Sequence, residues 1–134
     1  KLLHMALDRG AGQIITGSFP NLRSVCDYLL SQNLPVLLAC AAWKDKVNIE
    51  DMLFAGAVIH AVKDNFNINC DSSQVAETLY MDAKNDLYEF MKAKNASHYQ
   101  RLSGYGLEKD IRYCLTPDLA PVLPLYENGK LITL

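Results

Sequence analysis

Residues 37–62 read LLACAAWKDKVNIEDMLFAGAVIHAV: apolar, then polar, then apolar again. The first block belongs to PVLLACA (35–41), which is apolar on both faces. That is the pattern of a central parallel strand covered on both sides. The last block predicts a helix over 49–63 with almost no polar face, hence buried nearly all round. Asn48 stands where an N-cap belongs, and Asp51 at the third helical position resembles the partner in a capping box. Gly56, mid-helix, costs about 1 kcal/mol against alanine. A close approach of helix to sheet would account for it. Between the apolar blocks lie Trp43, Lys44, Lys46, Glu50 and Asp51, and both acids sit where the helix begins.

Upstream, QIITGSF (13–19) is a β-branched run that predicts a strand ending at Gly17. Pro20 and Asn21 mark a turn and a cap. Leu22, Val25, Cys26, Leu29 and Leu30 then form a helical stripe to Gln32, closed by Asn33 and Pro35. Residues 2–9 show helical spacing, stopped by Gly10 and Gly12. Downstream of the quoted stretch, NFNINCDSS (65–73) is a polar connection. Residues 73–94 predict one long helix with Ala76, Leu79, Tyr80, Ala83, Leu87, Phe90 and Met91 on one side. SHYQRLSGYG and LEKDIRYCL predict two short helices with a turn at 104–106. VLPLYENGKLITL (122–134) is a strand, an Asn-Gly turn and a strand, a hairpin signal. The order predicts an α/β protein: a three-layer α/β/α arrangement with a mostly parallel sheet and a C-terminal β-hairpin. Residues 1–134 form either a single α/β domain or the C-terminal half of a larger α/β protein. The expected sheet is completed by residues outside this chain.

With 134 residues, 50% apolar and 21% charged, the chain suits one soluble domain with a real core. A net charge of −2 argues against a nucleic-acid partner. No charge-free apolar run is long enough to span a membrane. The four cysteines (Cys26, Cys40, Cys70, Cys114) are widely spaced and lack the C-x-x-C pattern of a zinc knuckle. Cys26 and Cys40 read as buried thiols and Cys114 as packed, which suggests a reducing, cytoplasmic compartment.

Parallel strands joined by a right-handed crossover place their carboxyl ends on one edge of the sheet. The loops GSFPN and AAWKDKVN then leave from that edge. Ser18, Asn21, Trp43, Lys44, Glu50 and Asp51 can share one crevice there, where open α/β sheets bind ligands. Two helices begin at the same place, and their free N–H groups favour an anion. Each feature also has a structural reading. The acids can cap a helix, the lysines can be solvated, and Ser18 and Asn21 can be turn residues. Trp43 can plug the core below its loop. His98 and Arg101 stand on a short helix opened by Ser97, and His60 reads as structural. Asp110, Arg112 and Asp118 can form an ion-pair set near the hairpin.

Taken in order, GSFPN, CAAWKDKVNIEDMLFAGA, ASHYQRL and EKDIRYCLTPD with VLPLYENG resemble the C-terminal part of the 2-phosphosulfolactate phosphatase family. The resemblance implies a magnesium-dependent phosphatase that converts 2-phospho-3-sulfolactate to 3-sulfolactate and phosphate, a step toward coenzyme M. It also implies a preceding N-terminal half of the same protein, with acidic and arginine-bearing motifs of its own. On that basis Glu50 and Asp51 are the expected Mg2+ ligands, and His98, with Asp51, the catalytic group. Ser18, Asn21, Trp43 and Arg112 are the expected contacts to a small phosphorylated acid. Self-association is left open. This sequence departs from the family pattern at Ala42 and Asp45, where glycine is usual, and at Phe54, where cysteine is usual. Another phosphorylated hydroxy acid as substrate, or a non-catalytic binding or assembly module, are the alternatives.

Overall fold

The computed structural model describes residues 2–32 and 34–134. Lys1, inside the first helical pattern, and Asn33, expected to help close the second helix, lie outside the described residues. Among the described residues seven helices and one hairpin follow in order: α1 (Leu2–Asp8), α2 (Leu22–Ser31), α3 (Ile49–Val62), α4 (Asp71–Ala83), α5 (Leu87–Ala93), α6 (Ser97–Ser103), α7 (Glu108–Leu115), β1 (Pro124–Glu127) and β2 (Lys130–Thr133). A single 3-10 turn at Phe19–Asn21 leads into α2.

The apolar stripe of α2 buries Val25, Cys26 and Leu29. They meet Val58 and Val62 of α3, together with Leu123. α3 is the hub of the fold. Its buried residues are Leu53, Ala55, Gly56, Ala57, Val58, Ile59 and Val62, as its nearly polar-free sequence requires. A second cluster joins Leu53 and Ala57 to Phe19, Leu87, Met91, Ile111 and Leu115, so α5 and α7 close over the same helix.

Gly56 does mark a close approach, but to another helix rather than to a sheet. A Cβ there would lie 2.0 Å from the Ala76 carbonyl oxygen and 2.8 Å from Tyr80 Cβ, both on α4. The long helix expected over 73–94 is two helices. Asp86 interrupts it by accepting the Glu89 N–H at 2.9 Å, which caps α5 and makes an Asn-Asp pair a helix start.

β1 and β2 pair antiparallel around Asn128 and Gly129, whose positive φ values of 48° and 84° suit a tight hairpin turn. Residues 14–16 join this hairpin, also antiparallel. Thr16 N–H donates to Pro124 O at 3.0 Å and Tyr126 N–H to Ile14 O at 2.8 Å. The segment 35–41 carries no regular secondary structure and makes no strand pairing among the described residues. Its Leu38 packs on the Val58 cluster, while Leu37 is 89% exposed. The fold is therefore mixed helix and strand, and each strand pairing it describes is antiparallel.

Of the thiols, Cys26 is buried as expected. Cys40 and Cys114 are exposed, against expectation, because the faces carrying them are uncovered. Among the described residues no helix is long and apolar enough to cross a membrane.

Candidate active site

Both loops singled out by the sequence converge on the amino-terminal half of α3. Gly17 lies so near Phe54 that a Cβ would sit 2.6 Å from the ring's Cζ, so a larger residue there would have to push the ring aside. Phe19 adds an edge-to-face contact with Phe54, ring centroids 5.6 Å apart. One helical turn earlier, Asp51 Oδ2 accepts the Ala42 N–H at 2.8 Å. Asp51 and Phe54 are three residues apart and so share a face. The serine-bearing and tryptophan-bearing loops thus meet neighbouring turns of one helix.

The second loop is tightly wound. Trp43 and Lys46 exchange two backbone hydrogen bonds of 3.0 Å. Ala42, Lys44 and Asp45 have φ of 62°, 50° and 60°. The left-handed region costs a residue with a Cβ roughly 1–2 kcal/mol. Ala42 and Asp45 are the two positions where the resemblance leads one to expect glycine, so this chain keeps the backbone path while giving up the residue that adopts it freely.

The acids are not helix caps in the expected sense. Asn48 is buried but its side chain makes no capping hydrogen bond. The Asp51 carboxylate turns back to the loop instead. Glu50 Oε1 pairs with His98 Nδ1, linking the start of α3 to the first turn of α6 across 48 residues. The other oxygen, Glu50 Oε2, is buried and has no hydrogen-bond partner among the described residues. An unmatched buried carboxylate oxygen is costly, on the order of 1–3 kcal/mol or more, and so calls for a cation or donor. One turn beyond His98, the Arg101 guanidinium carbon stands 4.2 Å from the Trp43 ring centroid. Trp43 is 47% exposed, so it forms a platform rather than a core plug.

Other candidates lie elsewhere or are already engaged. Asn21 is buried. Its amide nitrogen donates to Thr16 O at 3.2 Å and Val122 O at 2.9 Å, and its oxygen accepts the Ser18 N–H at 2.8 Å. Both amide protons are spent on protein carbonyls, so Asn21 shapes the turn and has no donor left for a substrate. Ser18 itself is exposed at the tip of that turn. Arg112 stacks on Tyr88, 3.5 Å from the ring centroid, and pairs with Glu89 at 3.9 Å. It faces a shallow cleft of about 270 Å³ beside Lys84, Tyr88 and Thr116, with no contact to Glu50, Asp51 or His98 among the described residues. The ion-pair set expected around it does not form among the described residues; Asp118 instead accepts the Arg23 N–H at 2.8 Å. His60 pairs with Glu77, which also binds Lys63 at 2.7 Å; these partners hold the Glu77 carboxyl below its ordinary range, a structural tie between α3 and α4.

Sequence comparison identifies the family. A match to the 2-phosphosulpholactate phosphatase family covers residues 2–129. The chain belongs to that family. A probable 2-phosphosulfolactate phosphatase of Thermotoga petrophila is 38% identical over 120 residues, covering 90% of this chain and 51% of the relative. Proteins of the same name from Thermotoga maritima and Caldanaerobacter subterraneus are 37% and 32% identical. The chain spans about half the length of the curated relatives it matches.

Among the described residues no group of three or more His, Cys, Asp or Glu side chains is placed to hold a metal. Magnesium, however, takes only one or two carboxylates and fills its other positions with water and substrate oxygens. The unpartnered Glu50 Oε2 next to Asp51 fits that demand. Arg101 was not among the expected site residues, although its three-residue spacing from His98 put both on one helix face.

Proposed function

We propose that the complete protein is a magnesium-dependent phosphatase acting on 2-phospho-3-sulfolactate and releasing 3-sulfolactate and phosphate, in the cytoplasm and on the route to coenzyme M. The observation that carries this reading is the Glu50–His98 pair with its unmatched second carboxylate oxygen, set beside Asp51 at the start of α3.

A phosphate monoester repels nucleophiles by its own charge, and cationic groups around the phosphoryl oxygens offset that. Glu50 and Asp51 would hold Mg2+, which when bound supplies that positive charge. Glu50 Oε1 fixes the His98 ring through Nδ1 and leaves Nε2 to give a proton to the leaving alkoxide. Asp51 also accepts the Ala42 N–H and thereby sets the strained loop that carries Trp43. Ser18, exposed at the neighbouring turn, would contact the phosphoryl or acid groups.

In the same reading, residues 35–41 are a central strand of a mostly parallel, three-layer sheet. Leu38 faces the helices and Leu37 the opposite layer, and the N-terminal half of the complete protein supplies the strands on either side. The test is phosphate release by the complete protein from 2-phospho-3-sulfolactate and a panel of phosphorylated hydroxy acids, with and without Mg2+. Release from the sulfonated substrate that EDTA abolishes supports the proposal. Faster release from another acid corrects the substrate, and none from any of them leaves a non-catalytic module.

A further inference from the structure

Arg101 lies three residues after His98 on α6, so the two side chains share a face and stand one helical turn apart. His98 reaches Glu50 and Arg101 reaches Trp43. That face therefore lies across both the start of α3 and the wound loop. The Arg101 guanidinium carbon stands 4.2 Å from the Trp43 ring centroid, a cation–π contact that restrains the group against the loop. Arg23, Lys63, Lys92 and Arg112 each have a carboxylate partner. Among the described residues Arg101 pairs with none. A half-buried, restrained guanidinium without a counter-ion is a receptor for a planar or tetrahedral acid group, which it grips with two parallel N–H donors.

Which acid group follows from His98. A residue that protonates the leaving alkoxide must stand on the leaving-group side of the phosphorus. Arg101, next to it on the same face, stands on that side too. In a phosphorylated hydroxy acid the leaving group itself carries a carboxylate, and in a sulfonated one a sulfonate as well. We propose that Arg101, braced on Trp43, binds the non-reacting acid group of the substrate and so selects phosphorylated hydroxy acids over plain phosphate monoesters. This rests on the phosphatase reading of Glu50, Asp51 and His98.

The experiment compares Arg101→Met and Arg101→Lys with the wild type in the complete protein, melting curves first confirming that each folds. Two substrates are used: 2-phospho-3-sulfolactate, and a phosphate monoester of a neutral alcohol. Binding of 3-sulfolactate alone is measured by calorimetry. The proposal expects Arg101→Met to raise KM for the acid substrate and Kd for 3-sulfolactate by about 10- to 100-fold, the range of one lost charge-assisted bidentate contact. It expects kcat and all constants for the neutral ester to stay within about threefold. Lysine, keeping charge but not the planar fork, should fall between. Equal losses on both substrates, or unchanged KM and Kd on the acid, overturn it. If the wild type releases phosphate from neither substrate, the phosphatase reading fails, and the calorimetry still decides whether Arg101 binds the acid.

Discussion

Replacing Gly56 with alanine pits helix propensity against packing, and the two have opposite signs. Propensity alone favours the variant by about 1 kcal/mol. The new methyl group, however, would stand 2.0 Å from the Ala76 carbonyl oxygen and 2.6 Å from its carbon. These are helix backbone atoms, which cannot swing aside as a side-chain tip can. To reach ordinary contact at 3.4 Å, the Cβ and the Ala76 oxygen must separate by about 1.4 Å, and a gap of even 0.5–1 Å between α3 and α4 forfeits a quarter to a half of each dispersion contact. The small-residue seam of Ala55, Ile59 and Ala76 is buried and would lose those contacts together. Overpacking of this kind costs about 1–3 kcal/mol, and backbone on the receiving side puts it at the upper end. The net expectation is a loss of about 2 kcal/mol. In a protein as long as its curated relatives, roughly twice this chain, that lowers Tm by about 4–8 °C. Thermal and urea unfolding of the complete protein measure it. Ala61→Gly, at an exposed position of the same helix, calibrates propensity with an expected loss of about 1 kcal/mol. A Gly56→Ala protein as stable as the wild type, or more so, would refute the close approach of α3 and α4.

Three other outcomes are expected. Ala42→Gly removes a left-handed alanine, φ 62°, and after glycine's own entropy cost should raise stability by about 0.5–1 kcal/mol; a lower Tm would show the loop is not wound as described. Asn21→Ala strips four hydrogen bonds from a buried turn and should cost about 2–4 kcal/mol with KM unchanged; a raised KM at unchanged Tm would return Asn21 to the substrate. Burial, with Asp27 and Asp118 nearby, pushes the Cys26 thiol up to about 11 from 9.0. Because the folded value is the higher, that thiol's contribution is whole below about pH 9 and is lost as pH rises toward about 11. Urea unfolding at about pH 8 and about pH 10.5 should show a smaller loss for Cys26→Ala than for the wild type, and equal losses would contradict this.

Much of the helical frame was legible because local pattern decides it: the stripe of α2, the polar-free α3 and the Asn-Gly hairpin all appear where periodicity and turn chemistry put them. The break between α4 and α5 was missed because an apolar face ran unbroken from Ala76 to Met91 and outweighed the capping signal at Asp86. The strands were half legible. Residues 14–16 pair as a strand does, but with β1, a partner that no spacing rule names, and a non-local pairing leaves no local trace. At the site, Glu50, Asp51, Trp43 and His98 could be named from residue type. Their actual partners could not, since Glu50–His98 spans 48 residues and Ala42–Asp51 needs a φ that only coordinates reveal. The sequence pointed to Arg112 rather than Arg101, and only the packing of α6 against the loop sets Arg101 beside Trp43.

The most direct test is the rate of Mg2+-dependent phosphate release by Glu50→Gln and Asp51→Asn, each in the complete protein, with melting curves to confirm folding. If these two carboxylates gather at the start of α3 to serve the chemistry, each variant should lose roughly 100-fold or more in kcat/KM. If both release phosphate at the wild-type rate with the same magnesium dependence, the acids do no more than hold a loop and a histidine in place, and the reaction centre lies elsewhere.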